Sequence, residues 1–544
     1  MKEKSIAWPE AFFASAHISI NKERSLRILT DTLIVLLAYH AYGIMNYLPS
    51  HDGVMVVAVD AAWQISLGRF TQPFYELLRG AVAAPWLIAI LTLFFLTGAY
   101  ILMLDLLNIK NRIVTFLMIA VLTSHMSFLV GFGVFMNWMD IYGLSLLLAV
   151  SGVWILDKTH GIPGLLLSAL CFLLSMGLYQ CYMAAAASLC LLLLMRDCMA
   201  GGERKARMRK LVRYLLGAGT GAAGYLAVVR LSSVLSGIPL SGSYNSISNL
   251  TNTADGQGRS AFSYLSLIPK MYTTFFSYFT EETGYNTAAL RLIFAVLVLL
   301  GAAAWAWWMR KKKIRADRAG ELGIYLILSP MAMNCIYILT GGMVHILMLF
   351  SYHMVLLFLF LPLIFETEAR RTPAEGTHED DAEHGKNFGT GRRLSQAALL
   401  FTAVICVYNL VYDNGFHYYR KIVGDASQYQ IFTVLQDLER DPEYEPGETP
   451  VVLIGEILAS DMNFKRHDFA QFEDVPYSYG SAATYYLSFT QYANFMMGKD
   501  IVLGDNTGYA EQDRVREMPC YPKDGYCQMI DGAMVVKLSD PSRQ

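Results

Sequence analysis

The sequence predicts a polytopic α-helical membrane protein with about eleven transmembrane helices and a small α/β domain at its C-terminal end. Of its 544 residues, 54% are hydrophobic and only 16% are charged, whereas a soluble protein carries roughly 25% charged residues. The apolar residues also occur in long, nearly uninterrupted blocks. Blocks of about 20 residues match the hydrocarbon core of a bilayer, which is about 30 Å thick.

The apolar blocks define the candidate spans, which are 28–47, 84–106, 113–130, 139–156, 162–178, 181–196, 211–234, 288–309, 321–339, 343–365 and 395–412. The segment 162–196 needs an argument, because a single helix of this length would extend roughly 52 Å at 1.5 Å per residue. That is too long for one ordinary crossing. Since the sequence GLYQCY at 177–182 offers a point for the chain to turn, we predict two spans here.

The distribution of lysine and arginine agrees with this count and predicts the orientation. With two spans at 162–196, the N-terminal segment and the loops after even-numbered spans carry most of the basic residues that precede the tail. The opposite short loops carry four, namely Arg69, Arg79, Arg259 and Lys270. Because basic loops stay in the cytoplasm, we expect a multi-pass cell-membrane protein with a cytoplasmic N-terminus and an outer C-terminal domain.

This topology divides the chain into a transmembrane domain, 1–412, and a C-terminal domain, 413–544. Within the first we expect an interfacial helix at 5–20, outer loops at 48–83 and 235–287, and a disordered inner linker at 366–394. The linker contains the sequence HEDDAEH, for which metal binding is the alternative to a solvated segment.

The C-terminal domain shows mixed secondary-structure patterns. PVVLIGEI, DIVLGD and AMVVKL are short β-type runs, and IFTVLQDLE has helical periodicity. About 130 residues are enough for a small α/β domain. In an oxidising outer compartment, Cys520 and Cys527 are candidates for a disulfide.

A cluster of polar residues follows the first predicted span. His51 and Asp52 come almost directly after it, and Asp60, Trp63 and Arg69 follow. A carboxylate partly shielded from water can have a raised pKa and act as a general base, and an arginine can bind an anionic headgroup. The structural alternative is that these acids cap helices and pair with arginines. As functional candidates, Asp52 and Asp60 are catalytic and the other three bind substrate.

Further polar residues lie at the outer ends of later spans and are substrate-binding candidates. Asp140 begins the fourth span, Tyr179 and Gln180 occupy the break in GLYQCY, and Arg230 and Arg291 lie near the outer ends of their spans. A charge within a span is costly and usually faces a partner or a cavity. For the two arginines, snorkelling to the interface is the alternative.

Several patterns are absent from the sequence. It contains no phosphate-binding loop of the Walker A type, no zinc-ligand spacing and no inner domain large enough for a soluble nucleotide cofactor. We therefore expect no cofactor and no nucleic acid partner, and we assign no metal ligands, while the sequence leaves a metal requirement open. Any enzyme built on this chain must take its substrates from the bilayer and from the outer side.

Short motifs along most of the chain resemble one family of membrane enzymes. The sequence has SHDG at 50–53, W-x-x-S-x-GRF at 63–70, PFYELLRG at 73–80 and APWL at 84–87. MDIYGLSLLL, SMGLYQCYM and the terminal MPCYPKDGYCQMIDGAMVVKL extend the likeness. Taken together, these motifs resemble the GtrII-type membrane glucosyltransferases.

The resemblance implies a GT-C architecture with an acidic catalytic residue in the first outer loop, a position that Asp52 occupies. It also implies that the sugar donor is carried on a polyprenyl phosphate. Such an enzyme transfers glucose or a related sugar to a surface glycan. In this family the aromatic residue after Gly-Arg is often Trp, and here it is Phe70, which leaves the sugar open.

Two other classes of function fit the same sequence. A transporter or lipid flippase of the cell envelope would also have many spans and buried charges, although it would more often show internal repeats and broken helices near the midplane. A non-catalytic assembly protein that binds surface polymer through its tail is the third possibility. Loss of sugar transfer on changing Asp52, with expression unchanged, separates the enzyme from both.

Overall fold

The computed structural model describes residues 21–46, 48, 50, 61–80, 84–241, 261–342, 344–369, 384–457, 464–473, 475 and 486–540. The helices of the membrane part are α1 (Lys22–Met45), α2 (Ala61–Ser66), α3 (Thr71–Arg79), α4 (Pro85–Leu106), α5 (Arg112–Thr123), α6 (Met126–Val134), α7 (Met139–Lys158), α8 (Gly161–Leu178), α9 (Met183–Met199), α10 (Arg204–Ser236), α11 (Ala261–Thr280), α12 (Ala288–Lys311), α13 (Ala316–Met333), α14 (Ile336–Leu339), α15 (Val355–Ala369) and α16 (His384–Arg440). Short 3₁₀ helices at Met136–Trp138, Gln180–Tyr182, Ile346–Met348 and Phe350–Met354 connect some of them.

Nine helices in the described ranges are long and apolar enough to cross a membrane, and they become ten if the bent pair α5–α6 is one span. The nine are α1, α4, α7, α8, α9, α10, α12, α15 and α16, of which α7, α9 and α15 each continue a preceding 3₁₀ helix. Each corresponds to one of the expected spans. The expected span at 321–339 is instead divided between α13 and α14, so the full count of eleven stays a prediction.

Local sequence explains where several of these helices begin. The side chain of Asn111 accepts hydrogen bonds from the backbone N–H groups of Ile113 and Val114 at the start of α5, and Pro85 occupies the first turn of α4. Both are favoured N-terminal arrangements. The bend of 54° between α5 and α6 occurs where His125 caps α6, because its side chain accepts from the backbone N–H of Ser127.

The helix ends that carry the basic loops meet at one end of the bundle. Arg24 Nη2 donates to the Ile109 carbonyl at 2.6 Å, and Glu368 accepts from the backbone N–H of Asn111 at 2.7 Å. Further ion pairs at this end are Lys158–Asp105, Lys210–Asp157, Lys210–Asp197, Arg207–Glu321 and Lys311–Glu366. We call this end the basic end. Since α7 ends there and α10 begins there, α8 and α9 cross away and return, as the two-span interpretation of 162–196 requires.

The C-terminal region contains a four-stranded sheet. Its strands are β1 (Pro450–Ile454), β2 (Val502–Leu503), β3 (Cys527–Ile530) and β4 (Ala533–Lys537), in the spatial order β2-β1-β4-β3. β1 is parallel to both β2 and β4, and β3–β4 is an antiparallel hairpin. The two turn residues of this β3–β4 hairpin, Asp531 and Gly532, both have positive φ, as a two-residue Asp-Gly hairpin turn requires. The runs expected to be strands thus supply β1, β2 and β4.

The chain joins this sheet to the membrane part without a break at residue 413. α16 continues from its apolar segment through IFTVLQDLE to Arg440. Tyr412 of this helix donates to the Gln471 carbonyl at 3.0 Å, and Tyr526 donates to Asp437 at 2.8 Å. The C-terminal region therefore packs directly against α16.

The predicted disulfide is not formed in the structure, where Cys520 and Cys527 are not bonded to each other. Cys520 Sγ contacts Asp540 Oδ1 at 3.7 Å, whereas Cys527 lies in β3. In the segment 366–394, α15 extends to Ala369 and α16 begins at His384. The residues between these two helices lie outside the described residues, and so does the interfacial helix expected at 5–20.

Candidate active site opposite the basic end

The first loop after α1 folds back onto the bundle through the segment α2–α3. The turn between these two helices contains Gly68, which has φ +78° and at which an added Cβ would lie 2.6 Å from the hydroxyl of Tyr225. Gln180 Nε2 donates to the Leu67 carbonyl at 3.0 Å and to the Tyr225 hydroxyl at 2.8 Å. The break between α8 and α9 and the middle of α10 therefore hold this turn in place.

Arg69 follows directly and lies against the same break. Its guanidinium carbon is 4.9 Å from the ring centroid of Tyr179, which is within cation–π range. The ring of Tyr179 is buried and lies 4.7 Å from the ring of Tyr142. Arg69 Nε has no hydrogen-bond partner among the described residues. The structure thus brings together three sequence-predicted residues, Arg69, Tyr179 and Gln180.

Asp140 anchors α3 from the start of α7. Arg79 Nη1 donates to Asp140 Oδ1 at 2.9 Å and to the Asn137 carbonyl at 2.9 Å, and the Tyr75 hydroxyl donates to Asp140 Oδ2 at 2.8 Å. The side chains of Arg79 and Asp140 are 1% and 0% exposed. This pairing makes Asp140 a positioning residue for the loop, and its direct contact with substrate stays a prediction.

Glu76 is a buried carboxylate beside this pair that the sequence reasoning did not single out. Its Oε1 atom accepts from Gln72 Nε2 at 3.4 Å, and its Oε2 atom has no hydrogen-bond partner among the described residues. Burial raises the pKa of Glu76, an effect that Arg79 and Gln72 oppose and that Asp140 reinforces. The signal available in the sequence was an acid in the first outer loop, within PFYELLRG.

The remaining predicted site residues lie on other elements or outside the described residues. Trp63 is on α2 with 45% of its surface exposed, and Arg230 is exposed on α10, five residues after Tyr225. Arg291 is paired with Glu282 at 2.6 Å. The candidates His51, Asp52 and Asp60 fall outside the described residues.

The described residues also contain no group of three or more His, Cys, Asp or Glu side chains placed to hold a metal ion. The sequence HEDDAEH lies at 378–384, of which only the backbone of His384 is described.

The long apolar helices define an integral membrane protein. Its polar site lies away from the basic end and consists of the Arg69 cation, buried tyrosines and the Gln180 amide. Comparison with known proteins makes this specific. Residues 41–361 match the family Glucosyl transferase GtrII, and the chain belongs to this family. The matched region contains α4 to α13 and the whole α2–α3 segment. No curated protein and no solved structure gives a significant match.

Family membership makes the protein a glycosyltransferase, and the family implies membrane glucosyltransferase activity. This favours an enzyme over the transporter or lipid flippase that the composition alone also allows. It also supports a sugar donor and a glycan acceptor as the substrates.

Proposed function

We propose that the protein transfers glucose or a related sugar from a polyprenyl-phosphate donor to a cell-surface glycan on the outer face of the membrane. The observation that carries the proposal is the position of Arg69. Its guanidinium is held against Tyr179 in a turn that Gln180 fixes, and its Nε atom is without a partner among the described residues. A fixed cation with free donor capacity suits the phosphate of a lipid-linked sugar.

The orientation that we propose follows from the basic end. The ion pairs there bring together the loops after α4, α7, α9 and α12. Because basic loops remain in the cytoplasm, the basic end faces inward with the N-terminus, and the α2–α3 segment faces outward. By the same reasoning the sheet that follows α16 lies outside the cell.

The chemistry requires a base for the acceptor and a cation for the leaving group. The acceptor hydroxyl oxygen attacks the anomeric carbon of the donor sugar, the bond from that carbon to the phosphate oxygen breaks, and the hydroxyl proton passes to a carboxylate. We assign the carboxylate to Asp52, which occupies the first-loop position that the family resemblance implies. Arg69 stabilises the negative charge on the departing phosphate, and Trp63, Tyr179 and Gln180 contribute to sugar binding.

Substitution of Asp52 tests the proposal. Asparagine has nearly the same shape but cannot accept a proton as a base, so Asp52→Asn should lower transfer by about 10²–10⁴-fold while insertion into the membrane is unchanged. Transfer is measured as radiolabelled sugar moved from a polyprenyl-phosphate donor in membrane vesicles. Arg69→Lys keeps the charge but loses the planar fork, so it should raise the KM for the donor without abolishing activity.

Asp60→Asn is the matched control, since it makes the same change in the same loop, and we expect it to have a smaller effect. If Asp60→Asn abolishes transfer while Asp52→Asn stays near the wild-type rate, Asp52 is not the base. If the wild-type protein transfers no sugar from the lipid-linked donor, the donor class is wrong.

A further inference from the structure

An apolar groove lies between three helices of the bundle, α5, α15 and α16. Its lining includes Met118 and Val121 of α5, Leu357 and Phe360 of α15, and Ala398 of α16. The volume of the groove is about 200 Å³, which is at least roughly ten times what one water molecule needs. Because apolar walls offer water no hydrogen bonds, the groove is suited to a hydrocarbon chain.

The length of the groove matches one leaflet of a bilayer. It follows α5 from Asn111 at the basic end to Leu122, a distance of roughly 16 Å at 1.5 Å per residue. That is about half of the hydrocarbon core, which is about 30 Å thick. The groove closes at His353, which also borders a separate cavity of about 20 Å³, lined in part by Asn286 and Asp413, with room for about one water molecule. A chain in the groove therefore enters from the leaflet at the basic end.

The mouth of the groove at the basic end is polar and carries cations. Asn111, Thr367 and Ser395 line this end. Arg112 directly follows Asn111, and Arg392 precedes Ser395 by three residues, which places Arg392 and Ser395 on the same face of α16. Both arginines are exposed, and Arg392 forms no ion pair with a described residue. The groove thus joins an apolar interior to a cationic rim.

Two acids near the mouth do not cancel this charge. Asp31 of α1 lies within electrostatic range of both Arg27 and Arg112, and Glu368 accepts from the backbone N–H of Asn111 at 2.7 Å. The basic residues around the mouth are Arg27, Lys110, Arg112, Arg392 and Arg393. With five cations and two acids among the described residues there, the mouth has a net positive charge.

We infer that the groove binds one acyl chain of an anionic phospholipid, whose headgroup lies at the basic end beside Arg112 and Arg392. Basic pockets between membrane helices bind anionic lipid headgroups, and arginine pairs with phosphate through two parallel hydrogen bonds. A zwitterionic lipid would fill the groove equally well, but its own cation opposes binding to the rim.

The sugar donor is not the occupant that these observations favour. The phosphate of a donor bound at Arg69 lies away from the basic end, whereas the cations of the groove lie at it. A lipid in the groove instead contacts α5, α15 and α16 together, so its binding should stabilise the packing of α16 against the bundle. The inference is therefore independent of the proposed function and of the identity of the sugar.

Lipid binding by the full-length protein tests the inference without any sugar transfer. The protein is stripped of lipid in detergent and titrated with phosphatidylglycerol or phosphatidylcholine of identical chains, and bound lipid is counted by native mass spectrometry. We expect one phosphatidylglycerol to bind at least several-fold more tightly than phosphatidylcholine and to raise the midpoint of thermal unfolding, as a ligand of the folded state does. Equal binding of the two lipids overturns the inference. Displacement of phosphatidylglycerol by an equal or lower concentration of a polyprenyl phosphate also overturns it, because the groove would then hold the donor.

One pair of variants locates the headgroup. Arg392→Gln should weaken binding of phosphatidylglycerol about fivefold, the usual contribution of one arginine near an anionic lipid, and should weaken binding of phosphatidylcholine less. Arg315→Gln is the matched control, since Arg315 is 81% exposed near the same end of the bundle and does not line the groove. If both variants bind phosphatidylglycerol equally, the headgroup does not lie beside Arg392 and the inference is wrong.

A second pair locates the acyl chain. Thr402→Trp places a bulky ring in the groove, so it should bind both lipids more weakly. Val404→Trp adds the same bulk two residues further along α16, at a position that is 40% exposed and does not line the groove, so it should bind normally. Equal binding by these two variants would show that the chain lies elsewhere. Arg392→Gln alters only an exposed side chain, so it still decides the inference if Thr402→Trp does not fold.

Discussion

The buried pair of Arg79 and Asp140 allows a quantitative test of how the first loop is held. Both side chains are almost completely inaccessible, and the carboxylate also accepts from Tyr75 and from the backbone N–H of Ile141. Removing one partner of a buried ion pair leaves an uncompensated charge and typically costs about 3–5 kcal/mol. Arg79→Met should therefore shift the equilibrium between docked and released loop by about 10²–10⁴-fold, at about 1.4 kcal/mol per tenfold.

Hydrogen exchange measures this effect, because release of the loop exposes the backbone amides of 61–79. We expect much faster exchange there in Arg79→Met, and a lower midpoint of thermal unfolding in detergent. Arg315→Met is the matched control. Its pair with Asp317 is 81% and 67% exposed, and exposed pairs contribute only about 0–1 kcal/mol.

The double variant Arg79→Met/Asp140→Leu distinguishes charge from packing. Replacing both members of a buried pair with apolar residues is often neutral or stabilising, so the double variant should recover much of the lost protection. Equal exchange in Arg79→Met and Arg315→Met, or a double variant whose defect is the sum of its single defects, would refute the reasoning.

Three further outcomes are expected. Because the pKa of Glu76 is raised by burial, its contribution to stability is fully present below its unfolded pKa and is lost as the pH rises through its folded pKa. The stability of Glu76→Gln relative to the wild type should therefore increase as the pH rises above the unfolded value of about 4.3, and a difference that does not change with pH would contradict the burial argument. Cys520, which forms no disulfide, should react with a maleimide without prior reduction and faster than Cys527, whose pKa is raised to about 12 by burial and by the neighbouring acids Asp441 and Asp437. Labelling that requires a reductant would instead support the disulfide. A topology reporter fused after Gln544 should be active only outside the cytoplasm and one at Gly376 only inside, and two reporters on the same side would contradict the orientation.

The fate of the apolar segments shows which features depend on local sequence. Apolar blocks of bilayer length became helices wherever few charges interrupt them, because burial in lipid requires every backbone group to bond within its own segment. The blocks at 113–130 and 321–339 are exceptions, because each is divided between two helices. In the second, α13 carries Asp317, Arg318 and Glu321 in its first turns and ends at Met333, and the side chain of the following Asn334 donates to the Met271 carbonyl at 2.9 Å.

The end of α16 could not be placed from hydropathy. The apolar run ends near 412, but the helix continues to Arg440 because residues such as Gln, Leu, Glu and Arg continue a helix readily in water as well. Hydropathy indicates which segments lie in lipid and not how far a helix continues beyond them, and the domain boundary at 413 stays a prediction.

The sequence by itself determined that the chain is a polytopic membrane protein, that α8 and α9 are two spans, and which loops share the basic end. These features depend on composition and on the order of charges along the chain, so no tertiary contact is needed to infer them. Only the tertiary structure decided that Arg79 pairs with Asp140, 61 residues away, and that Gln180 holds Leu67, 113 residues away. It also placed Asp413 and Asn286 in one cavity. Such contacts join side chains on different helices, and their formation depends on how the helices pack, which no local pattern of residues specifies.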